Sequence, residues 1–239
     1  MNTGHATLGS DPVELLKWAA ERFVSRIALS CSFGGAGGLV LAHMIHEHRL
    51  KIPVLFIDTG FLFPETYELK ETFAIRYDLT IRIVGPDEQD EPMVPGLWER
   101  DPDACCRLRK VEPMQRALAQ LDAWVCALRR DQAPTRRDVE AVEDHLLPDG
   151  RRICKINPLA YWTHAQVWGY IMRHNVPYNP LCDRGYQSIG CIQCTQPTVT
   201  GMATRSGRWS GSNKVECGLH TFTDRLEVPP QEARDSRLR

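Results

Sequence analysis

Nine cysteines are distributed over this 239-residue chain, and the setting of five of them points to chemistry. Cys191-Ile192-Gln193-Cys194 brings two thiols within reach of one metal centre, and two further thiolates complete the four-cysteine shell used by zinc and by iron-sulfur clusters. Cys105 and Cys106 are adjacent. A disulfide between neighbours is strained, and a single zinc ion prefers ligands spaced by two or more residues. The corners of a cubane are separate, so neighbouring thiolates can each take a different iron. The alternative is a redox-active Cys191/Cys194 pair with Cys105 and Cys106 as bystanders. The fifth cysteine lies in Glu216-Cys217-Gly218-Leu219-His220. A thiol on a mobile, glycine-containing segment can attack as its thiolate and be reached by two partners in turn. Cys31 and Cys126 sit in apolar runs and read as core.

Other candidates are phosphate-binding. Ser32-Phe33-Gly34-Gly35-Ala36-Gly37-Gly38 joins a strand-like run to a helical one, where bare amides and the positive helix end can receive a phosphate. It lacks the Gly-Lys-Ser ending of a Walker loop. Asp58-Thr59-Gly60 and Arg129-Arg130-Asp131-Gln132 each follow an apolar strand, on the ligand edge of a parallel sheet. Arg205-Ser206-Gly207-Arg208-Trp209 offers two cations and a ring for an anion. His43, His46 and His48 lack further ligands nearby and read as surface or core.

The elements that must carry these groups alternate. Asp11 caps a helix over 12–23, with Pro12 at its first position and Glu14 closing a capping box. An apolar run at 27–32, the glycine loop and a helix over 39–48 follow. A strand at 53–58, a helix opening at Pro64 and a strand at 79–84 continue the pattern. The acidic, proline-containing stretch 86–103 reads as a mobile loop. A helix over 106–121, a strand over 123–128 and a helix over 163–174 with a Thr163/Gln166 capping box come next. After 175 periodicity is lost, and residues 228–239 read as a frayed tail. The fold class expected is α/β: a single domain with a mostly parallel sheet covered by helices and an irregular C-terminal segment carrying Cys217.

Composition sets the bounds. Hydrophobic residues at 43% and charged residues at 25% are those of a folded globular chain. A net charge of -1 disfavours a nucleic-acid surface and suits a small anionic ligand. No apolar run reaches membrane-span length, and the opening residues lack the pattern of a signal peptide, so a cytoplasmic location is expected.

Together, Cys105-Cys106, Lys110, Arg129-Arg130-Asp131-Gln132, Asn157-Pro158-Leu159, Cys191-x-x-Cys194, Arg205-x-x-Arg208-Trp209 and the Glu-Cys-Gly-Leu-His segment resemble the assimilatory adenylyl-sulfate reductases, within the wider phosphoadenylyl-sulfate reductase family. The resemblance runs over about 26–220, with 221–239 as a tail beyond a 1–220 domain. It implies an adenine nucleotide alpha-hydrolase-like fold and a 4Fe-4S cluster on Cys105, Cys106, Cys191 and Cys194. It implies Cys217 as nucleophile with Lys110 and His220 beside it, and thioredoxin or a glutaredoxin-like thiol donor as partner. Ser32, Gly34, Gly35, Asp58, Thr59, Gly60, Arg129, Arg130, Gln132, Arg205 and Arg208 are the implied sulfonucleotide contacts, with Lys110, Arg130, Arg205 and Arg208 as cations around the phosphosulfate. Adenylyl sulfate is the expected substrate and its 3′-phosphorylated form the alternative. The chain departs from many relatives at Gly37-Gly38, where acidic residues are common. Two other classes predict different features. An ATP pyrophosphatase needs an intact Ser-Gly-Gly-x-Asp-Ser loop and no reactive tail cysteine, and an iron-sulfur or zinc sensing module leaves the arginines and Cys217 idle.

Overall fold

A computed structural model describes residues 11–86, 95–198, 204–210, 212 and 214–226. Seven strands form one sheet in the order β3-β2-β1-β4-β6-β5-β7. They are β1 (Ile27–Ser30), β2 (Val54–Ile57), β3 (Ile81–Val84), β4 (Ala123–Val125), β5 (Val142–Leu146), β6 (Arg152–Ile156) and β7 (Asp224–Arg225). The first five in spatial order are parallel, and β5 and β7 extend the sheet antiparallel. The mostly parallel sheet expected from the alternating pattern is present.

The strand pleat divides the core in two. Ile27, Leu29, Val54, Phe56, Ala123, Val125, Cys154 and Ile156 face one layer of helices. That layer is α1 (Pro12–Phe23), α2 (Ala36–Glu47), α3 (Pro64–Tyr77) and α7 (His164–Arg173), which contribute Leu15, Leu41, Phe73 and Val167 among others. On the other face Ala28, Leu55, Ile57, Trp124, Cys126 and Ile153 pack on Met114 and Leu118 of α6 (Glu112–Leu118), with Leu219 and Phe222 of the C-terminal segment laid against them. Each fully buried large apolar side chain contributes about 1.5–3 kcal/mol, so both layers are needed.

Helix starts follow their caps. The Asp11 carboxylate accepts from the amides of Val13 and Glu14, and Thr163 and Gln166 form the expected capping box. Glu14 does not close a box: its carboxylate takes Lys17 instead. The helix expected over 39–48 begins earlier, at Ala36, so Gly37 and Gly38 are its first turn rather than loop. A Cβ on Gly38 would lie 2.8 Å from the Cys31 Sγ, which explains why an acidic side chain has no room there.

The region read as loop over 86–103 contains α4 (Leu97–Arg100) and the start of α5 (Pro102–Cys106), capped by Asp101; residues 87–94 lie outside the described residues. The single helix expected from 106 is instead α5, a π-helical turn Arg107–Val111, then α6. The chain also continues past 220 as structure: Thr223 is buried and β7 pairs with β5. Residues 227–239 lie outside the described residues.

Candidate active site

β1 runs to β2 and β3 on one side of the sheet, and the chain then returns to place β4 on the other flank of β1. The reversal opens a crevice at the carboxyl ends of β1 and β4, where ligands of open α/β sheets bind. A cavity of about 650 Å³ lies there. Ser32, Gly34 and Gly35 line it from the first loop, Thr59 from the second, and Arg129 and Gln132 from the third. The first loop turns at Phe33, which takes a left-handed φ of 51°. That conformation is unusual for a bulky residue and is held because the ring is buried between Phe56 and Phe73, at 5.7 and 5.4 Å.

Five cations border the cavity: Lys110, Arg129, Arg136, Arg205 and Arg208. Four of these were expected as site residues; Arg136 was not. Arg130, expected beside the phosphosulfate, turns away: its Nε donates to the Val139 carbonyl, its Nη2 to Glu140, and its guanidinium covers the Tyr161 ring. The 3-10 turns Arg130–Gln132 and Pro134–Arg136 exchange the two arginines. Asp58 and Gly60 also do not line the cavity. The Asp58 carboxylate accepts from the Gly60 amide at 2.8 Å and from the Tyr67 hydroxyl at 2.7 Å, so it shapes the turn that presents Thr59.

Glu216 and Cys217 reach the same cavity from the C-terminal segment. Glu216 is held by Arg136 at 3.0 Å and by Arg205 at 3.1 Å. His220 stacks on Trp124, with ring centroids 5.3 Å apart and planes 18° from parallel. Burial, then Lys155, Arg136 and Arg205, push its pKa well below 6.5, so it is a neutral ring at this site rather than a cation. An imidazole buried neutral makes the folded state bind fewer protons than the unfolded chain once pH falls below 6.5. Stability is therefore present above that pH and is lost as pH drops. We expect the thermal midpoint to fall between pH 7 and 5.5, and His220→Gln to flatten the fall; His43 and His164, lowered mainly by burial, add the same sign and remain in the variant. An unchanged slope in His220→Gln would show that this ring does not contribute.

A second, small cavity adjoins the first and is lined by Cys105, Cys106, Cys191 and Cys194 together. Cys105 and Cys106 end α5, where the π-helical turn follows and delivers Lys110. Such turns insert a wide turn into a helix and are frequent at functional sites. Cys191 enters by a bridge to Leu62, and Ile192 donates its amide to the Phe61 carbonyl at 2.8 Å. The Thr59 hydroxyl lies 3.3 Å from the Cys191 Sγ. Arg109, buried beside Cys105, donates to the Thr59 carbonyl at 2.6 Å and lies 3.9 Å over the Phe61 ring. Burial pushes the Cys106 thiol up to about 11 and raises Cys105 and Cys194. Among the described residues, no three His, Cys, Asp or Glu side chains converge on a point that could hold one metal ion.

Lys110 lines both cavities. Burial alone lowers an ammonium's pKa, but the thiols of Cys191, Cys217 and Cys106 outweigh it and raise Lys110. One cation thus connects the four-cysteine pocket to Cys217. Cys31 and Cys126, expected as core, are buried thiols pushed up to about 12.

Residues 26–197 match the phosphoadenosine phosphosulfate reductase domain. The chain belongs to that family. Adenosine 5′-phosphosulfate reductase of Halalkalibacterium halodurans is 45% identical over 88% of this chain and 91% of its own length. A second such reductase, of Bacillus subtilis, is 43% identical over 88% of this chain and 89% of its own. The crystal structure of phosphoadenylyl-sulfate reductase from Candida auris, in a phosphate complex, superposes with a TM-score of 0.67 at 35% identity, covering 78% of this chain and 90% of that one. An FMN adenylyltransferase of Candida glabrata, at 18% identity and a TM-score of 0.55, shares the fold. The segment matching the reductase domain ends before Arg205, Arg208 and Cys217, which the fold returns to the cavity of this family member. No helix among the described residues is long and apolar enough to cross a membrane.

Proposed function

We propose that this chain is an adenylyl-sulfate reductase that releases sulfite and AMP through a thiosulfonate on Cys217. The observation that carries the reading is one cavity lined by Cys217 and five cations at the switch point of the sheet. The Cys217 thiolate attacks the sulfonate sulfur; the sulfur–oxygen bond to the phosphate breaks and AMP leaves with its electron pair. Lys110, Arg136, Arg205 and Arg208 stabilise the charge that grows on the departing phosphate. A donor thiolate, from thioredoxin or a glutaredoxin-like protein, then attacks the Cys217 Sγ. Sulfite leaves with the bonding pair, and the donor's second thiol closes its own disulfide and returns Cys217 as a thiol. Nine free thiols suit a reducing cytoplasm.

The donor set of the small cavity fits a 4Fe-4S cluster. Four cysteines border it, and a cubane takes each thiolate at a different iron corner, so the four need not converge on one point. The Trp209 amide donates to the Cys194 carbonyl at 3.1 Å and so ties the segment that carries Arg205 and Arg208 to this pocket. Cys105, Cys106, Cys191 and Cys194 would hold the group, which would supply charge beside Lys110.

Substrate choice follows from the cations. A 3′-phosphate brings up to two more charges that must be met on burial. Arg129, whose Nη1 lies 3.6 Å from where a Cβ on Gly37 would stand, is already paired with Asp131 at 2.9 Å, and the first loop itself contributes glycines. Comparing kcat/KM for adenylyl sulfate and its 3′-phosphorylated form with the same thioredoxin tests this. A ratio well above one in favour of adenylyl sulfate is expected, and equal values or the reverse would overturn the assignment.

Gly190 supplies a further test. The Arg208 guanidinium crosses it so closely that a Cβ there would lie 2.6 Å from Cζ. Gly190→Ala should displace Arg208 and lower kcat/KM about tenfold, the loss of one charge-assisted hydrogen bond; because the Arg208 Nε also donates to the Cys194 carbonyl at 3.2 Å, iron content is measured alongside. Wild-type kcat/KM in this variant would remove Arg208 from the phosphosulfate site.

A further inference from the structure

β6 holds a buried lysine that the chemistry above does not use. Lys155 is 3% exposed and lies in register with Trp124 on β4 and Glu143 on β5. Its ammonium sits 5.2 Å from the Trp124 ring centroid and donates to the His220 carbonyl at 3.3 Å. Among the described residues that is its one hydrogen bond. Glu143, across the strand pair, is occupied elsewhere: by Asn157 at 3.1 Å, the Glu140 amide at 3.2 Å, Arg225 at 3.2 Å and His145 at 3.4 Å.

A buried ammonium is costly unless its donors are met, and an aliphatic side chain beside Trp124 would pack as well without that cost. Besides its charge facing the Glu143 carboxylate across the strand pair, Lys155 adds the contact to the segment that carries Cys217. That segment has the features of a hinged arm. Gly218 takes a φ of 83°, directly between Cys217 and the contacts that dock the arm. Beyond it, Leu219 and Phe222 pack on the sheet, His220 stacks on Trp124, Thr223 Oγ1 lies 2.9 Å from His145 Nδ1, and Arg225 reaches Glu143. If the arm leaves the sheet, Lys155 loses its one side-chain hydrogen-bond acceptor among the described residues.

We propose that Lys155 is a positioning residue: it latches the 218–226 arm onto the sheet and thereby keeps Cys217 at the cavity mouth. The consequence for turnover rests on Cys217 as nucleophile, whereas the latch itself does not. Because the thiol must face a substrate inside the cavity and then a donor thiol from outside, the strength of the latch sets the fraction of time the arm is docked.

The test is amide hydrogen exchange of residues 218–226 in the full purified chain, with Lys155→Met, Lys155→Gln and Lys155→Arg. In the Met variant we expect exchange in the arm to rise about tenfold or more, the effect of losing one hydrogen bond to a charged group. Exchange in β1, β2 and β4 and the Kd for AMP should stay at wild-type values, while kcat falls. The Arg variant, which keeps a cationic donor, should recover part of the protection. Should the Met variant not fold, Lys155→Gln, which removes the charge and keeps a donor, is read in the same way. Wild-type protection of the arm without the ammonium would overturn the latch, as would a rise spread evenly over the whole sheet, which marks a merely structural residue. If Cys217→Ser keeps its turnover, the nucleophile falls while the exchange data still decide the latch.

Discussion

Replacing Cys217 with serine is expected to abolish sulfite release, by on the order of a thousandfold or more, while AMP binding and iron content stay at wild-type levels. A serine hydroxyl is a far poorer nucleophile than a cysteine thiol at neutral pH. The structure gives the substitution little else to disturb. Cys217 is half-buried at the edge of the cavity, and the elements that fix its backbone are its neighbours: Glu216 between two arginines, and the arm beyond Gly218. Steady sulfite formation from the serine variant, measured with thioredoxin present, would take Cys217 out of the reaction.

Cys191→Ala and Cys106→Ala are each expected to lose the iron and most of the folded yield. The reason lies in how little regular structure holds the described residues of 176–198 and 204–210. These contain the 3-10 turns Pro180–Arg184 and Ile192–Cys194 and the isolated bridges Leu62 to Cys191 and Thr195 to Arg208. Cysteine ligation of a structural metal supplies on the order of 10 kcal/mol in small domains, as much as the whole net stability of about 5–15 kcal/mol of a typical fold. Iron analysis and soluble yield of the two variants measure this. Normal iron in either one would contradict the ligand set.

The parts of the fold that the sequence made legible are those where local pattern and burial agree. β1, β2 and β4 carry apolar residues on both faces, and α1 and α7 announce themselves through Asp11 and Thr163. β5 and β6 were not anticipated, because they point Glu143, His145 and Lys155 inward and so imitate a polar, exposed stretch. Their burial is made favourable by partners that include Asn157 and, far along the chain, Arg225, Thr223 and the His220 carbonyl of the C-terminal arm. The cysteine pairs were legible from spacing, and all four line one small pocket. The arginines were legible only in part: Arg129, Arg205 and Arg208 line the cavity, and Arg130 does not. Arg129 and Arg130 are indistinguishable in sequence, and the 3-10 turn after β4 sends one inward and one outward. Arg136 had a signal that was available: Pro134 sets a second turn, and an arginine four residues after Gln132 donates its Nη1 to the Gln132 Oε1 at 2.5 Å.

Glu216 has a consequence for how the cavity responds to ionic strength. A pocket with five bare cations would gain much of its affinity for a sulfonucleotide from long-range attraction and would lose it steeply as salt screens that field. Here Arg136 and Arg205 already hold the chain's own carboxylate, and Arg129 holds Asp131. An incoming anion exchanges one ion pair for another, so the net change in exposed charge is small. Binding should therefore depend only weakly on salt, and Glu216→Gln, which leaves two arginines uncompensated, should bind more tightly at low salt and show the steeper dependence.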